Sequence, residues 1–289
     1  MVKLRKILLS DKTEFEKHHP AKDIGCESSF AVNFLYAKDY PTYIGNWHNR
    51  IAIAKPPNLL YYPLGEETSA KELAEYAEDI SNSGFKFEYI YNVPPDFAKN
   101  FPDYEKYFSL VENEGEFDYI YQPDSLAELK GSLLRKKRNH IKHFIEENPN
   151  WCEDDITQKN LDDAQFFVES RSTDFERQAI ETAFENFFEL NLSGIILRDN
   201  DGTIVGTSIF TEIADGVYDV LIEKSAHHTR GASQMLVVLQ AKKLRELGAK
   251  LINREQDLNL PNLRHAKKSL DPIFLYKRVS LVPKNYARN

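Results

Sequence analysis

The sequence predicts an α+β protein of two units in tandem, each with a mixed, mainly antiparallel sheet and flanking helices. Three observations lead there. The chain has 289 residues, enough for two ordinary domains. Three β-prone runs between Gly194 and Glu223, joined by the turns Asn200-Asp201-Gly202 and Asp215-Gly216, make a meander. A hairpin, a helix and a strand also follow in the same order in both halves. The expected division is residues 1–122 and 123–289.

Each element has a local signal. Residues 10–25 read as a short helix and loop, and Ser29–Tyr36 is aromatic-rich and of open type. Strands are expected near 42–45, 50–55 and 58–63. Ser69-Ala70-Lys71-Glu72 is a capping box opening a helix to about Ser81, which Gly84 ends. Phe85–Tyr91 alternates as a strand, Pro94-Pro95 breaks the chain, and a short helix and the strand Phe117–Tyr121 close the half. Ser125-Leu126-Ala127-Glu128 is a second capping box and opens a basic helix to Glu147. Helices are expected over 161–171 and 174–190, then the meander at 194–198, 204–213 and 217–223. The loop Ser225–Gly231 leads into a long helix, 232–247, stopped by Gly248. A strand at 251–255, a helix at 263–270 and strand structure over 272–281 complete the chain.

Composition narrows the function classes. Hydrophobic residues make up 42% and aromatics 12%, so a sizeable core is available. No stretch approaches the ~20 apolar residues of a membrane span, and a cytoplasmic protein is expected. Cys26 and Cys152 are the two cysteines and have no metal-ligand spacing, so neither a disulfide framework nor a metal site is expected. The net charge of −8 is unevenly spread: Lys224–Asn289 carries 14 Lys and Arg against 4 Asp and Glu. Residues 130–143 contain Lys130, Arg135, Lys136, Lys137, Arg138 and Lys142 and no acid. Such segregation suits a polyanionic partner, or two oppositely charged units facing each other.

The densest chemical signal is Ile252-Asn253-Arg254-Glu255-Gln256-Asp257. Ala249–Ile252 starts a buried strand, and its exit carries Asn253, Glu255 and Asp257 at every second position. If the strand stays extended, the three share one face. Two carboxylates beside a core need a positive partner. Arg264 or Lys267 could supply it internally, or a substrate ammonium could. On the basic helix, Leu126, Leu129, Leu133, Leu134, Ile141, Phe144 and Ile145 form an apolar stripe, interrupted by Lys137 and His140. Inward-pointing basic residues would line a cleft; snorkelling is the alternative. His227-His228 lacks further ligands at metal spacing. Tyr89, Tyr91, Tyr119 and Tyr121 suit either base stacking or core packing. Neither a Walker loop nor a dinucleotide fingerprint is present.

The order of meander, loop, long helix, strand, helix and strand resembles the Gcn5-related acetyltransferase (GNAT) fold. The loop signature of that fold, Arg/Gln-x-x-Gly-x-Gly/Ala, is matched in part by His228-Thr229-Arg230-Gly231-Ala232-Ser233. The N-terminal half reads as a degenerate copy without the glycine loop. A closer resemblance lies in Tyr119-Ile120-Tyr121, Leu126–Gly131, Lys137-Arg138-Asn139-His140-Ile141, the Asn253–Asp257 block and Leu263-Arg264-His265-Ala266-Lys267. These resemble uncharacterised proteins related to the C-terminal domain of phosphatidylglycerol lysyltransferase, a group similar to the FemABX peptidyltransferases.

The resemblance implies transfer of an aminoacyl group from aminoacyl-tRNA to an amine or hydroxyl of a small-molecule or peptide acceptor, without a required cofactor. Glu255 or Asp257 would be the base or hold the donor's ammonium. Asn253, Arg254 or a strand N–H would stabilise the oxyanion, Arg254 being also a candidate substrate contact. Lys137, Arg138, His140, Arg230, Gly231, Arg264 and Lys267 would contact donor or acceptor, the cations neutralising phosphate. Two other readings stay open: an acyl-CoA-dependent N-acyltransferase using the Gly231 loop, and a non-catalytic nucleotide- or RNA-binding protein.

Overall fold

The computed structural model describes Val2–Lys284. The first elements are β1 (Arg5–Lys6), α1 (Lys12–His18), α2 (Phe30–Leu35), β2 (Tyr43–Trp47), β3 (Arg50–Lys55), β4 (Leu59–Tyr61), α3 (Ala70–Asn82), β5 (Tyr89–Val93), α4 (Phe97–Asn100) and β6 (Phe108–Val111). Then come β7 (Asp118–Tyr121), α5 (Pro123–Glu128), α6 (Arg135–Glu147), β8 (Cys152–Asp155), α7 (Leu161–Glu169) and α8 (Arg177–Glu185). The last are β9 (Ser193–Arg198), β10 (Ile204–Ala214), β11 (Val217–Ser225), α9 (Ala232–Glu246), β12 (Leu251–Asn253), α10 (Pro261–Lys268), β13 (Phe274–Tyr276) and β14 (Val279–Pro283).

The strands form two seven-stranded sheets, ordered β1-β2-β3-β4-β5-β14-β6 and β13-β7-β12-β11-β10-β9-β8. Both follow one plan. Four strands meander antiparallel, a helix crosses over, and the next strand pairs parallel to the last: β4 with β5, and β11 with β12. The position beyond that parallel step is taken in each sheet by a strand distant in sequence, β14 in one and β7 in the other. The two units therefore divide between Phe117 and Asp118, and the chain returns to the first unit at Tyr276. The sequence placed the division at residue 122 and kept the C-terminal strand in the second half. The pairing of β7 with β12 and of β14 with β5 is the physical reason for the difference. Met1 and residues 285–289 of the expected ranges lie outside the described residues.

Local chemistry sets the crossover helices. Ser69 caps α3: its Oγ accepts from the Glu72 amide at 3.3 Å, and Glu72 Oε2 accepts from the Ser69 amide at 2.9 Å. Leu73, Tyr76, Ala77 and Ile80 then bury one helical face. α9 is covered through its middle, with Met235–Ala241 buried without a break.

The basic segment departs from the expected single helix. The first piece, α5, opens at Pro123 rather than at the Ser125 box. It ends where Leu129 turns left-handed (φ +47), and Gly131 follows at φ +95. α6 starts afresh at Arg135. The stripe is split accordingly: Leu126, Leu129, Leu134 and Phe144 are buried, whereas Leu133 is 78% exposed. Phe144 packs with Ala232, Met235, Leu236 and Leu239 of α9. Truncating Phe144 to Ala should cost about 3–5 kcal/mol in chemical denaturation, while Leu133→Ala should stay within about 0.5 kcal/mol. Comparable losses at the two positions would restore the continuous helix.

Candidate functional site

The site lies in the second unit, where β11 and β12 part. They pair through Val217–Leu251, Tyr218–Ile252 and Asp219–Asn253 only. β11 runs on to Ser225, while β12 stops at Asn253 because the backbone turns left-handed at Glu255 (φ +55), and again at Leu258 (+52) and Asn259 (+59). Three non-glycine residues in that region within five positions store strain. Extended geometry fails after Asn253, so the expected common face of Asn253, Glu255 and Asp257 does not form. The chain keeps contact with β7 through Arg254 N to Tyr119 O (3.0 Å) and Tyr119 N to Glu255 O (3.1 Å).

Each polar residue of the block has its own task. The Asn253 amide donates to Asp118 Oδ2 at 2.8 Å, and its Oδ1 accepts from the Glu255 backbone N–H at 2.7 Å. Arg254 spans the gap between the parted strands. It donates to Glu223 Oε1 on β11 at 2.9 Å and to Gln240 Oε1 on α9 at 2.8 Å. Gln240 continues the chain to Ser208 Oγ on β10. The Asn253 amide and two guanidinium nitrogens of Arg254 are thus engaged within the protein. Glu255 itself is half-buried.

Asp257 is fully buried and fastens the turn. Arg264 grips it with Nε at 2.6 Å and a second nitrogen at 2.9 Å. Tyr119 donates its hydroxyl to Asp257 at 2.8 Å, and the Asn259 backbone N–H donates at 2.8 Å. Burial alone would raise the Asp257 pKa; the Arg264, Tyr119 and Asn259 bonds outweigh it and hold the carboxyl below its usual range. Tyr119 moves the other way, pushed up to about 12 by burial and by the adjacent carboxylate. Of the alternatives the sequence left open for these carboxylates, the internal ion pair describes Asp257. Lys267 belongs to the same strap: its ammonium donates to the Arg254 carbonyl, and Tyr121 donates to the Lys267 carbonyl at 2.8 Å. Tyr119 and Tyr121 are thus core residues with bonded hydroxyls rather than stacking platforms, and Tyr91 is buried also.

α6 reaches this region from the side. Lys137 donates to Ser269 Oγ at 2.8 Å, just past the end of α10. Arg138 turns back to the carbonyls of Leu129 and Gly131, tying the loop that precedes its own helix. His140 is lowered in pKa, first by burial and then by Arg230. Its carbonyl lies against Gly231: a Cβ there would meet His140 O at 2.2 Å, with φ at +84. That contact explains the one loop glycine and joins α6 to the entrance of α9. His227 and His228 are exposed. Sequence reasoning missed Glu223, Gln240, Asp118 and Ser269, and weighed Tyr119 only as a stacking or core residue. Gln240, a lone amide in the apolar Met235–Ala241 run, was the one legible signal.

Losing the Asp257 carboxylate should strand Arg264 and destabilise the protein by about 3–5 kcal/mol in Asp257→Asn. The sign with pH follows from the depressed pKa. The wild-type contribution is complete above the unfolded carboxyl pKa, near ~4, and is lost as pH falls through the lower folded value. Melts at pH 7 and pH 3 should therefore bring wild type and variant closer together at pH 3. A constant gap would contradict the pairing.

Comparison with known proteins places these features. The chain matches the family described as "Phosphatidylglycerol lysyltransferase, C-terminal" over residues 54–279. No curated protein matches it. A Bacteroides thetaiotaomicron protein described as conserved and of unknown function shares 25% identity at a TM-score of 0.88, covering 98% of this chain and 100% of that one. L-PGS from Bacillus licheniformis superposes at a TM-score of 0.68 with 12% identity, over 98% of this chain and 94% of that one. FemX does so at 0.64 with 11% identity, over 98% of each chain. These last two likenesses show the fold: two GNAT-like units in tandem. The family match extends over well more than half of the 289 residues, and the chain belongs to the phosphatidylglycerol lysyltransferase C-terminal family.

Proposed function

We propose that this chain is an aminoacyl transferase whose donor is an aminoacyl-tRNA rather than an acyl-CoA. The observation that carries the reading is the contact of His140 O with Gly231. In a CoA-dependent enzyme the loop before the long helix presents backbone N–H groups to a pyrophosphate. Here a helix backbone sits directly on the loop's one glycine, and that helix presents Arg135, Lys136 and Lys142 to solvent, with Arg230 exposed on the loop. A wide cationic surface without a glycine cradle suits a nucleic-acid backbone. The family and the likeness to L-PGS and FemX support the same direction.

With Asp257 engaged by Arg264, we assign the base to Glu255 and a positioning role to Asp257. The acceptor's nitrogen or oxygen forms the new bond to the ester carbonyl carbon. Its proton passes to Glu255, and the ester C–O bond breaks to leave the tRNA's terminal hydroxyl, which receives a proton. The strained turn fixes Glu255 relative to β7 and β11.

Incubation with charged tRNA and a panel of amines and alcohols tests this. Ester loss should depend on both protein and acceptor, and Glu255→Gln should reduce it by at least ~100-fold in the folded fraction. Binding of tRNA should weaken steeply with salt, and Lys136→Glu should weaken it further. Thiol release from acetyl-CoA with the same acceptors would shift the assignment to acyl-CoA. Inertness toward both donors would leave a binding protein.

A further inference from the structure

α7 and α8 leave between them a groove of about 270 Å³, lined by Phe166, Glu169, Thr173, Arg177 and Glu181 and by the buried Ile180. The inward residues of α7 are Leu161, Ala164, Phe167 and Val168. Phe166 falls outside that set and is 76% exposed. Glu169, three residues on, lies on the same side of the helix. Phe175, between Thr173 and Arg177, is 61% exposed. The surrounding charge is one-sided: residues 161–190 carry eight Asp and Glu against two Arg and no Lys. Both arginines are engaged. Arg171 lies over its own Phe167 ring at 3.9 Å and donates to the Phe167 carbonyl, and Arg177 pairs with Asp174 at 2.9 Å. Glu169 and Glu181 each accept from a neutral amide, Gln165 at 2.7 Å and Gln178 at 2.9 Å, and neither is ion-paired among the described residues.

An aromatic groove rimmed by uncompensated carboxylates complements a chain that is apolar and basic at once. We propose that the α7–α8 groove docks a cationic polypeptide segment of a partner protein. A lysine or arginine stem lies along the exposed Phe166 ring, and its charged head meets Glu169 and Glu181. A neighbouring apolar side chain of the segment fills the groove toward Ile180. The sign of the charge excludes the two anionic alternatives, since a nucleic-acid backbone or an acidic bilayer would be repelled here. A polypeptide fits better than a free amine because the apolar surface continues past Thr173 to Phe175, farther than one ammonium group covers. The surface goes beyond the transferase reading and does not rest on it: α6 is basic where α7 and α8 are acidic, so the two would take different partners.

The probe is a fluorescein-labelled synthetic peptide of lysine, arginine and leucine, titrated with the whole protein by fluorescence polarisation. Two control peptides replace its leucines by serine, or its basic residues by glutamate. The basic, apolar peptide should bind, the serine peptide more weakly, and the glutamate peptide not at all. Glu181→Gln should weaken binding roughly tenfold, the worth of one charge-assisted bond. Phe166→Ala should weaken it about fivefold or more through the lost ring contact. Both positions lie outside the core, so melting temperatures should stay near wild type; if Glu181→Gln unfolds, the exposed Glu169→Gln takes its place. Asp215→Asn removes an equal charge from an exposed turn, where Asp215 pairs with Lys250, and should leave the affinity unchanged. No binding, or equal weakening by Asp215→Asn and Glu181→Gln, would overturn the groove as a docking site. Free lysine amide competing as well as the peptide would overturn a polypeptide occupant. Salt-sensitive self-association lost in Phe166→Ala would replace the partner protein by a second copy of this chain.

Discussion

The close approach of the His140 carbonyl to Gly231 is the constraint on which the site's arrangement depends. It allows α6 to lie directly on the entrance to α9, and it requires a residue without a side chain at a left-handed position. Phe144, one turn further along α6, completes the seat against Ala232 and Met235. With α6 fixed there, Lys137 reaches Ser269. The loop before α9, which the resemblance would set against a pyrophosphate, is here a helix-packing surface.

The second determinant is how β12 ends. A parallel strand that parts from its neighbour leaves polar backbone and a gap, and both need partners. Arg254 fills that gap by bonding to Glu223 and Gln240, and the strained turn beyond it is held by Asp257 with Arg264 and Tyr119. Breaking a buried pair of this kind is expensive, which is how a turn with three left-handed non-glycine residues can persist. Stability and placement of Glu255 are therefore one problem: the residues that pin the turn also set where the half-buried carboxylate can go.

Much of the fold was legible because its signals are local. The Ser69 capping box, the meander turns and the largely apolar run Met235–Ala241 of α9 each state their structure within a few residues. The broken helix was not legible. Ser125–Glu147 keeps a helical apolar period across a break made by a left-handed Leu129, a residue with no intrinsic preference for that conformation. The division of units depended on β7 and β14 joining sheets across long sequence separations, which no window reveals. At the site, the residue types in the Asn253–Asp257 block were informative, but their directions were not, since alternation holds only while the strand does. Glu223 and Gln240 met the block from other elements, with Gln240 marked only as a lone amide in an apolar run.

The account turns on whether α6 truly closes on Gly231. The direct measurement is the unfolding free energy of Gly231→Ala beside Gly202→Ala. Both glycines have positive φ, +84 and +78, so both substitutions carry the left-handed penalty of about 1–2 kcal/mol. Nothing lies within 4 Å of a Cβ at Gly202, whereas one at Gly231 would strike the His140 carbonyl at 2.2 Å. The predicted result is a loss at Gly231 exceeding that at Gly202 by about 2 kcal/mol or more, as expected for overpacking against backbone. Equal losses would mean that α6 stands clear of the loop, and would reopen the loop to a pyrophosphate.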